Sequence, residues 1–121
     1  MSRESQLPNV VTQLRQAIPE LTGVMIASED GLAIAHDFSD AQAARVAAMA
    51  ATALGLGRRI LTTTELGDLG EAVIRGTGGH LVIYSAGNVG VLVVQAPSSA
   101  NLGLIHLEAR SAAKKVAAIT G

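Results

Sequence analysis

The strongest constraint on this chain is a proline-free, alanine-dense run from Ala41 to about Ile60, introduced by Ser39 and Asp40, whose side-chain oxygens suit an N-cap. At about 100° per residue, a wheel carried to Leu61 divides this helix into more zones than the usual two. Val46, Met49, Leu56 and Ile60 share one stripe with Ala53, and Ala44, Ala48, Ala51 and Gly55 make an opposite, small-residue face. Arg45, Thr52 and Arg59, seven apart, form a narrow polar wedge between them, while Ala47, Leu54 and Leu61 fill the remaining side. A helix on a two-layer α/β monomer buries one stripe and wets the rest. This one offers water little beyond the wedge and Arg58. The large stripe is therefore expected on the chain's own sheet, and the small face against a second copy. The plainer alternative is a solvated face, since alanine is the best helix former and tolerates exposure. The wedge equally reads as a solvated edge.

The remaining segments supply a sheet and two further helices. Leu7, Val10, Leu14, Ile18 and Leu21 recur three and four apart, and Pro19 is expected to end that helix. Gly23 to Ser28 and Leu32 to His36 flank Glu29-Asp30-Gly31, which reads as a hairpin tip. Glu71 to Arg75 alternates like a half-exposed strand. His80 to Tyr84 and Val89 to Val94 flank the turn-rich Ser85-Ala86-Gly87-Asn88. Pro97 breaks the last strand, Ser98 or Ser99 is expected to cap, and Leu102, Ile105, Ala109, Ala112, Val116 and Ile119 form a closing helical stripe. The order α-β-β-α-β-β-β-α, with hairpin-sized connections, predicts the α+β class in a two-layer α/β arrangement: a five-stranded antiparallel sheet with helices packed on it. At 121 residues, 49% of them apolar, residues 1–121 fit a single domain.

Composition narrows the chemistry. One Phe, one Tyr and no Trp leave no stacking platform for nucleic acid and no aromatic cage. Nine basic against ten acidic residues give no electrostatic footprint for nucleic acid. The absence of cysteine removes disulfides, thiolate catalysis and cysteine-ligated zinc. The polar start Met1-Ser2-Arg3-Glu4-Ser5-Gln6 is unlike a signal peptide, and no apolar run reaches a membrane-spanning length. A cytoplasmic protein without membrane insertion is expected.

Catalytic constellations are equally scarce. Gly55-Leu56-Gly57-Arg58-Arg59-Ile60 and Gly76-Thr77-Gly78-Gly79 lack the context of phosphate-binding loops; the first is expected to be a helix C-cap and the second a tight turn. His36, His80 and His106 have no metal-ligand spacing. His36 and His80 are expected at strand edges, and His106 at a surface or boundary. Ser28, Ser85, Ser98 and Ser99 lie in no nucleophile elbow, and Glu29-Asp30 reads as a turn. No catalytic, cofactor-binding or metal residue is assigned.

The hairpin Val24 to Leu32 with its Asp30-Gly31-Leu32 turn, the long helix after Asp40 and the late Gly87-Asn88-Val89-Gly90-Val91-Leu92 resemble the Roadblock/dynein light chain family over nearly the whole chain, including its bacterial and archaeal MglB-type branch. That resemblance implies a profilin-like roadblock fold and no enzymatic activity. It implies dimers with central helices side by side and sheets continued through edge strands. The interface would then hold Ala44, Ala48, Ala51 and Gly55 with Glu71, Val73 and Arg75. It implies a regulator or scaffold of a prokaryotic Ras-like small GTPase, with GTPase activation within its range and Arg45, Thr52, Arg58 and Arg59 as partner-binding candidates. The alternative is a small-ligand sensor whose glycine clusters line a pocket.

Overall fold

The computed structural model describes residues 3–88 and 90–120. Val89, expected to open the last strand, and the terminal Met1-Ser2 lie outside them. The elements are α1 (Arg3–Ala17), β1 (Gly23–Ser28), β2 (Ala33–His36), α2 (Asp40–Thr64), β3 (Glu71–Gly76), β4 (Gly79–Ala86), β5 (Gly90–Pro97) and α3 (Leu102–Thr120), in the expected order. Among the described residues, no helix is long and apolar enough to cross a membrane.

Helix ends depart from the sequence expectation in four places. Ser39 occupies the N-cap of α2 in an extended conformation, but its side chain makes no cap bond. Its carbonyl instead accepts the N–H groups of Gln42 at 3.0 Å and Ala43 at 2.9 Å. The helix then runs straight through Gly55 and Gly57, so that cluster is not a C-cap. Termination falls to Glu65, at φ 58°, whose N–H bonds to Thr62 O while Leu66 N–H bonds to Leu61 O at 2.9 Å. This is a Schellman arrangement with glutamate where glycine is usual. Asn101, rather than Ser98 or Ser99, caps α3: its Oδ1 accepts Leu104 N–H at 3.2 Å. Helix α1 starts before the stripe predicts, leaving Pro8 inside it, and ends at Ala17, two residues before Pro19.

The five strands are antiparallel in the order β2-β1-β5-β4-β3, so β2 and β3 are the edges. Alternation along the strands sends Val24, Ile26, Val82, Tyr84, Leu92 and Val94 to the face covered by α1 and α3. Their neighbours Met25, Ala27, Ile83, Val91 and Val93 lie under α2. Helices therefore cover both faces, giving three layers in place of the expected two, because alternation leaves both faces of the strands apolar. On the α1/α3 side, Leu7, Val10, Leu14 and Ile18 meet Ile105, Ala109, Ala112 and Val116 as the two periodicities predict.

The α2 side corrects one expectation. The helix seats Ala43, Ala47, Ala50 and Leu54 on the sheet, and the large stripe turns outward instead: Met49 is 63% exposed, Leu56 58% and Ile60 53%. The strands already supply bulk through Met25, Ile83, Val91 and Val93. Small residues on the helix let its backbone settle close to them.

Candidate functional site

The outer surface of α2 is the largest anomaly of the fold. Thr52 and Arg59 stand exposed with Arg45 along its crest, and Met49, Leu56 and Ile60 form an apolar flank beside them. The other flank faces the β1–β2 turn. Gly31, at φ 92°, comes so close that a Cβ there would lie 3.2 Å from Ala48 Cα and 3.8 Å from Ala51 Cβ. The small face thus admits a second backbone, but that backbone belongs to this chain's own hairpin. Ala44 is exposed, and Gly55 has open space where a side chain would be. Val46 and Ala53, the two members of the large stripe that stay half-buried, share a cluster with Ala72 of β3 and Leu81 of β4, so this flank is turned toward the β3 side of the sheet.

There β3 ends the sheet. Val73 and Ile74 are exposed on its two faces, and Arg75 is exposed beside them. Glu71 points inward from the same strand: its Oε1 accepts a hydrogen bond from Arg110 Nη2 and lies 3.7 Å from His106 Nδ1. His106 Nδ1 in turn sits 2.6 Å from the Tyr84 hydroxyl, with the two rings edge to face. Burial pushes the Tyr84 phenol well above its usual pKa; the Glu71 carboxylate adds to the rise and Arg110 opposes it. Of the edge residues expected at an interface, Val73 and Arg75 are exposed, whereas Glu71 ties β3 to α3.

Arg58 departs from the other partner-binding candidates. Its guanidinium forms an ion pair with Glu29 at the hairpin tip and donates to Ser85 Oγ at 3.0 Å. These groups line an open polar cleft of about 560 Å³ with Thr62, Asp68 and Asn88. The arginine already satisfies the carboxylate and hydroxyl nearest it, so it acts as a clamp joining α2, the β1–β2 tip and β4. Sequence spacing carried no signal of this pair or of the Tyr84–His106–Glu71–Arg110 cluster, because each joins residues far apart in the chain. Within the tip, Ser28 Oγ donates to Asp30 and accepts Leu32 N–H at 3.1 Å, the turn role expected of both.

His36 lies at the end of edge strand β2, as expected. His80 corrects its expectation: it is buried, in the interior strand β4, and its Nδ1 has no hydrogen-bond partner among the described residues. Gly76 to Gly79 form the tight β3–β4 turn. No three metal-ligating side chains gather among the described residues.

The Roadblock/LC7 domain model matches residues 8–96. Protein MJ0714 of Methanocaldococcus jannaschii is 33% identical over 117 residues, spanning 96% of this chain and 98% of that protein. Among solved structures, the Roadblock/LC7 domain from Streptomyces avermitilis aligns with a TM-score of 0.85 at 25% identity, over 90% of this chain and 92% of that one. The gliding protein MglB of Thermus thermophilus aligns with a TM-score of 0.86 at 17% identity, over 98% of this chain and 91% of its own.

Proposed function

The chain belongs to the Roadblock/LC7 domain family, and from that premise we propose that residues 1–121 form one domain acting as a homodimeric, non-catalytic regulator of a Ras-like small GTPase. The observation that carries this reading is the uncovered α2 flank of Met49, Leu56 and Ile60 beside the open edge of β3. Large apolar side chains grouped on one helix of a small domain mark an interface. An unpaired strand edge invites a second strand.

A second copy pairing along β3 brings its own α2 against the large-residue flank. Leu56 and Ile60 then form the centre of the seam, with Met49 beside them and Val73 and Arg75 bordering the strand junction. Ala44 and Gly55, on the opposite face of the helix, lie outside this seam, and Ala48 and Ala51 remain against Gly31. This arrangement leaves the Arg45, Thr52 and Arg59 crest facing outward from both helices as a platform for the GTPase. Arg58, held by Glu29 and Ser85, does not reach a partner's nucleotide. The platform acts by selecting one arrangement of the GTPase switch loops, whose order depends on the γ-phosphate and on what packs against them. Such a partner puts the protein in the cytoplasm.

Light scattering of the purified chain tests the dimer: twice the chain mass is expected, and the chain mass at all concentrations contradicts it. Single-turnover GTP hydrolysis and nucleotide release by the Ras-like GTPases of the same genome test the regulation. A changed rate, lost on charge reversal at Arg45 and Arg59, is expected. No binding and no rate change with any of them would reject the role.

A further inference from the structure

The polar cleft of about 560 Å³ opens where the β1–β2 tip, the end of α2, the α2–β3 connection and the β4–β5 turn converge. Neither the dimer seam nor the GTPase platform uses it. Its lining takes no residue from β3, from the Met49, Leu56 and Ile60 flank, or from the Arg45, Thr52 and Arg59 crest. The Arg58 clamp, joining Glu29 to Ser85 Oγ, forms one wall. Thr62, Asp68 and Asn88 supply further polar side chains, and Leu69 is the apolar side chain among the described lining residues. A concave site of this size with a few convergent polar groups suits one small ligand group.

Charge selects the ligand. Arg58 and Glu29 offset each other, which leaves the carboxylate of Asp68, exposed and in no ion pair among the described residues. The backbone contributes independently. The last turn of α2 holds no basic residue and is followed by Glu65 as its cap, so the negative pole of a 25-residue helix has no cation beside it. Thr62, in that turn, carries this pole to the cleft. We propose that the cleft binds one arginine side chain of a partner protein, with the guanidinium on Asp68 and the Asn88 carboxamide and the methylene stem along Leu69. A planar guanidinium offers paired N–H groups to a carboxylate and keeps further donors for an amide oxygen and hydroxyls. Lysine presents a point charge without that pairing. A metal ion fits less well, since no three metal-ligating side chains gather among the described residues. The same negative field repels phosphate, and with it nucleic acid.

The test uses the full chain, isotope-labelled for amide spectra, and a blocked synthetic pentapeptide with one arginine between glycines and serines. Its lysine and citrulline counterparts and free spermidine are titrated beside it; citrulline keeps the shape of arginine and removes the charge. Shifts centred on Glu29, Asp68, Leu69, Ser85 and Asn88 are expected with arginine, smaller ones with lysine and none with citrulline. Asp68→Asn should weaken arginine binding about fivefold, the upper range for an exposed charge contact. Because Asp68 holds no ion pair, this change leaves the Arg58 clamp in place, and unchanged helicity checks that it does. Glu20→Gln, at an exposed carboxylate on the α1–β1 connection, should leave binding unchanged. Light scattering on the same samples reports the dimer separately. Equal binding of the lysine or citrulline peptide, equal weakening by Glu20→Gln, shifts spread over carboxylates outside the cleft, or tighter binding of spermidine than of the arginine peptide would each overturn the proposal.

Discussion

The two faces of the sheet are built by opposite divisions of labour. Against α1 and α3, helix and strand both contribute large side chains, with Leu14, Ile18 and Ile105 meeting Ile26, Leu92 and Val94, and all of them are buried. Against α2, the sheet contributes nearly all the bulk and the helix mostly alanine, leaving the helix's own large residues on its outer side. One face is finished within the monomer and the other is not. Hydrophobic side chains on the first stabilise the fold; those on the second are available to stabilise an assembly.

The largest effect expected from this division is all-or-none. Leu56→Glu combined with Ile60→Glu should halve the solution mass while leaving helicity unchanged, because neither residue is seated on the sheet. Loss of fold in place of loss of mass would show that the α2 face is closed after all. Next in size, Ile105→Ala on the sealed face should lose about 2–5 kcal/mol of unfolding free energy in urea, the usual cost of a large aliphatic truncated in a packed core. Met49→Ala measured in the monomeric background should stay within about 0.5 kcal/mol.

Two smaller effects sharpen the same comparison. Gly31→Ala forces a side chain into the left-handed region and against the Ala48 backbone, so a loss of about 1–2 kcal/mol is expected in the same urea measurement. On the sealed face, Tyr84 is the only tyrosine, and its raised pKa favours the protonated form in the folded state. The unfolded chain releases that proton near pH 10 and the folded chain does not. Stability should therefore be intact below pH 10 and fall above it by about 1.4 kcal/mol per pH unit. Tyrosinate absorbance that appears only together with loss of helicity is the check; a normal titration in the folded protein would contradict the burial. Smallest, Asn101→Ala should cost about 1 kcal/mol as a lost cap, and Ser39→Ala within about 0.5 kcal/mol, since only the first side chain makes a cap bond.

Much of this was legible residue by residue. The stripes of α1 and α3, the hairpin at Asp30-Gly31 and the meander from Glu71 onward follow from short-range periodicity and turn chemistry, which act within a few residues. Asn101 was legible too, since asparagine caps as well as serine does, but two serines closer to Pro97 competed with it. Glu65 carried no signal as a C-cap, because the left-handed geometry it adopts is one that glycine or asparagine, and not glutamate, ordinarily supplies.

By itself the sequence determined the order of elements, the antiparallel class and the fact that α2 has more apolar surface than one contact can use. Only the tertiary structure decided which part of that surface is spent inside the monomer. A wheel gives angles between side chains but not the depth of the groove each must fill. With Met25, Ile83, Val91 and Val93 already filling the sheet's surface, the closest approach went to the alanines, and Gly31 took up the small flank. The large stripe was left outward, on the side where β3 is unpaired.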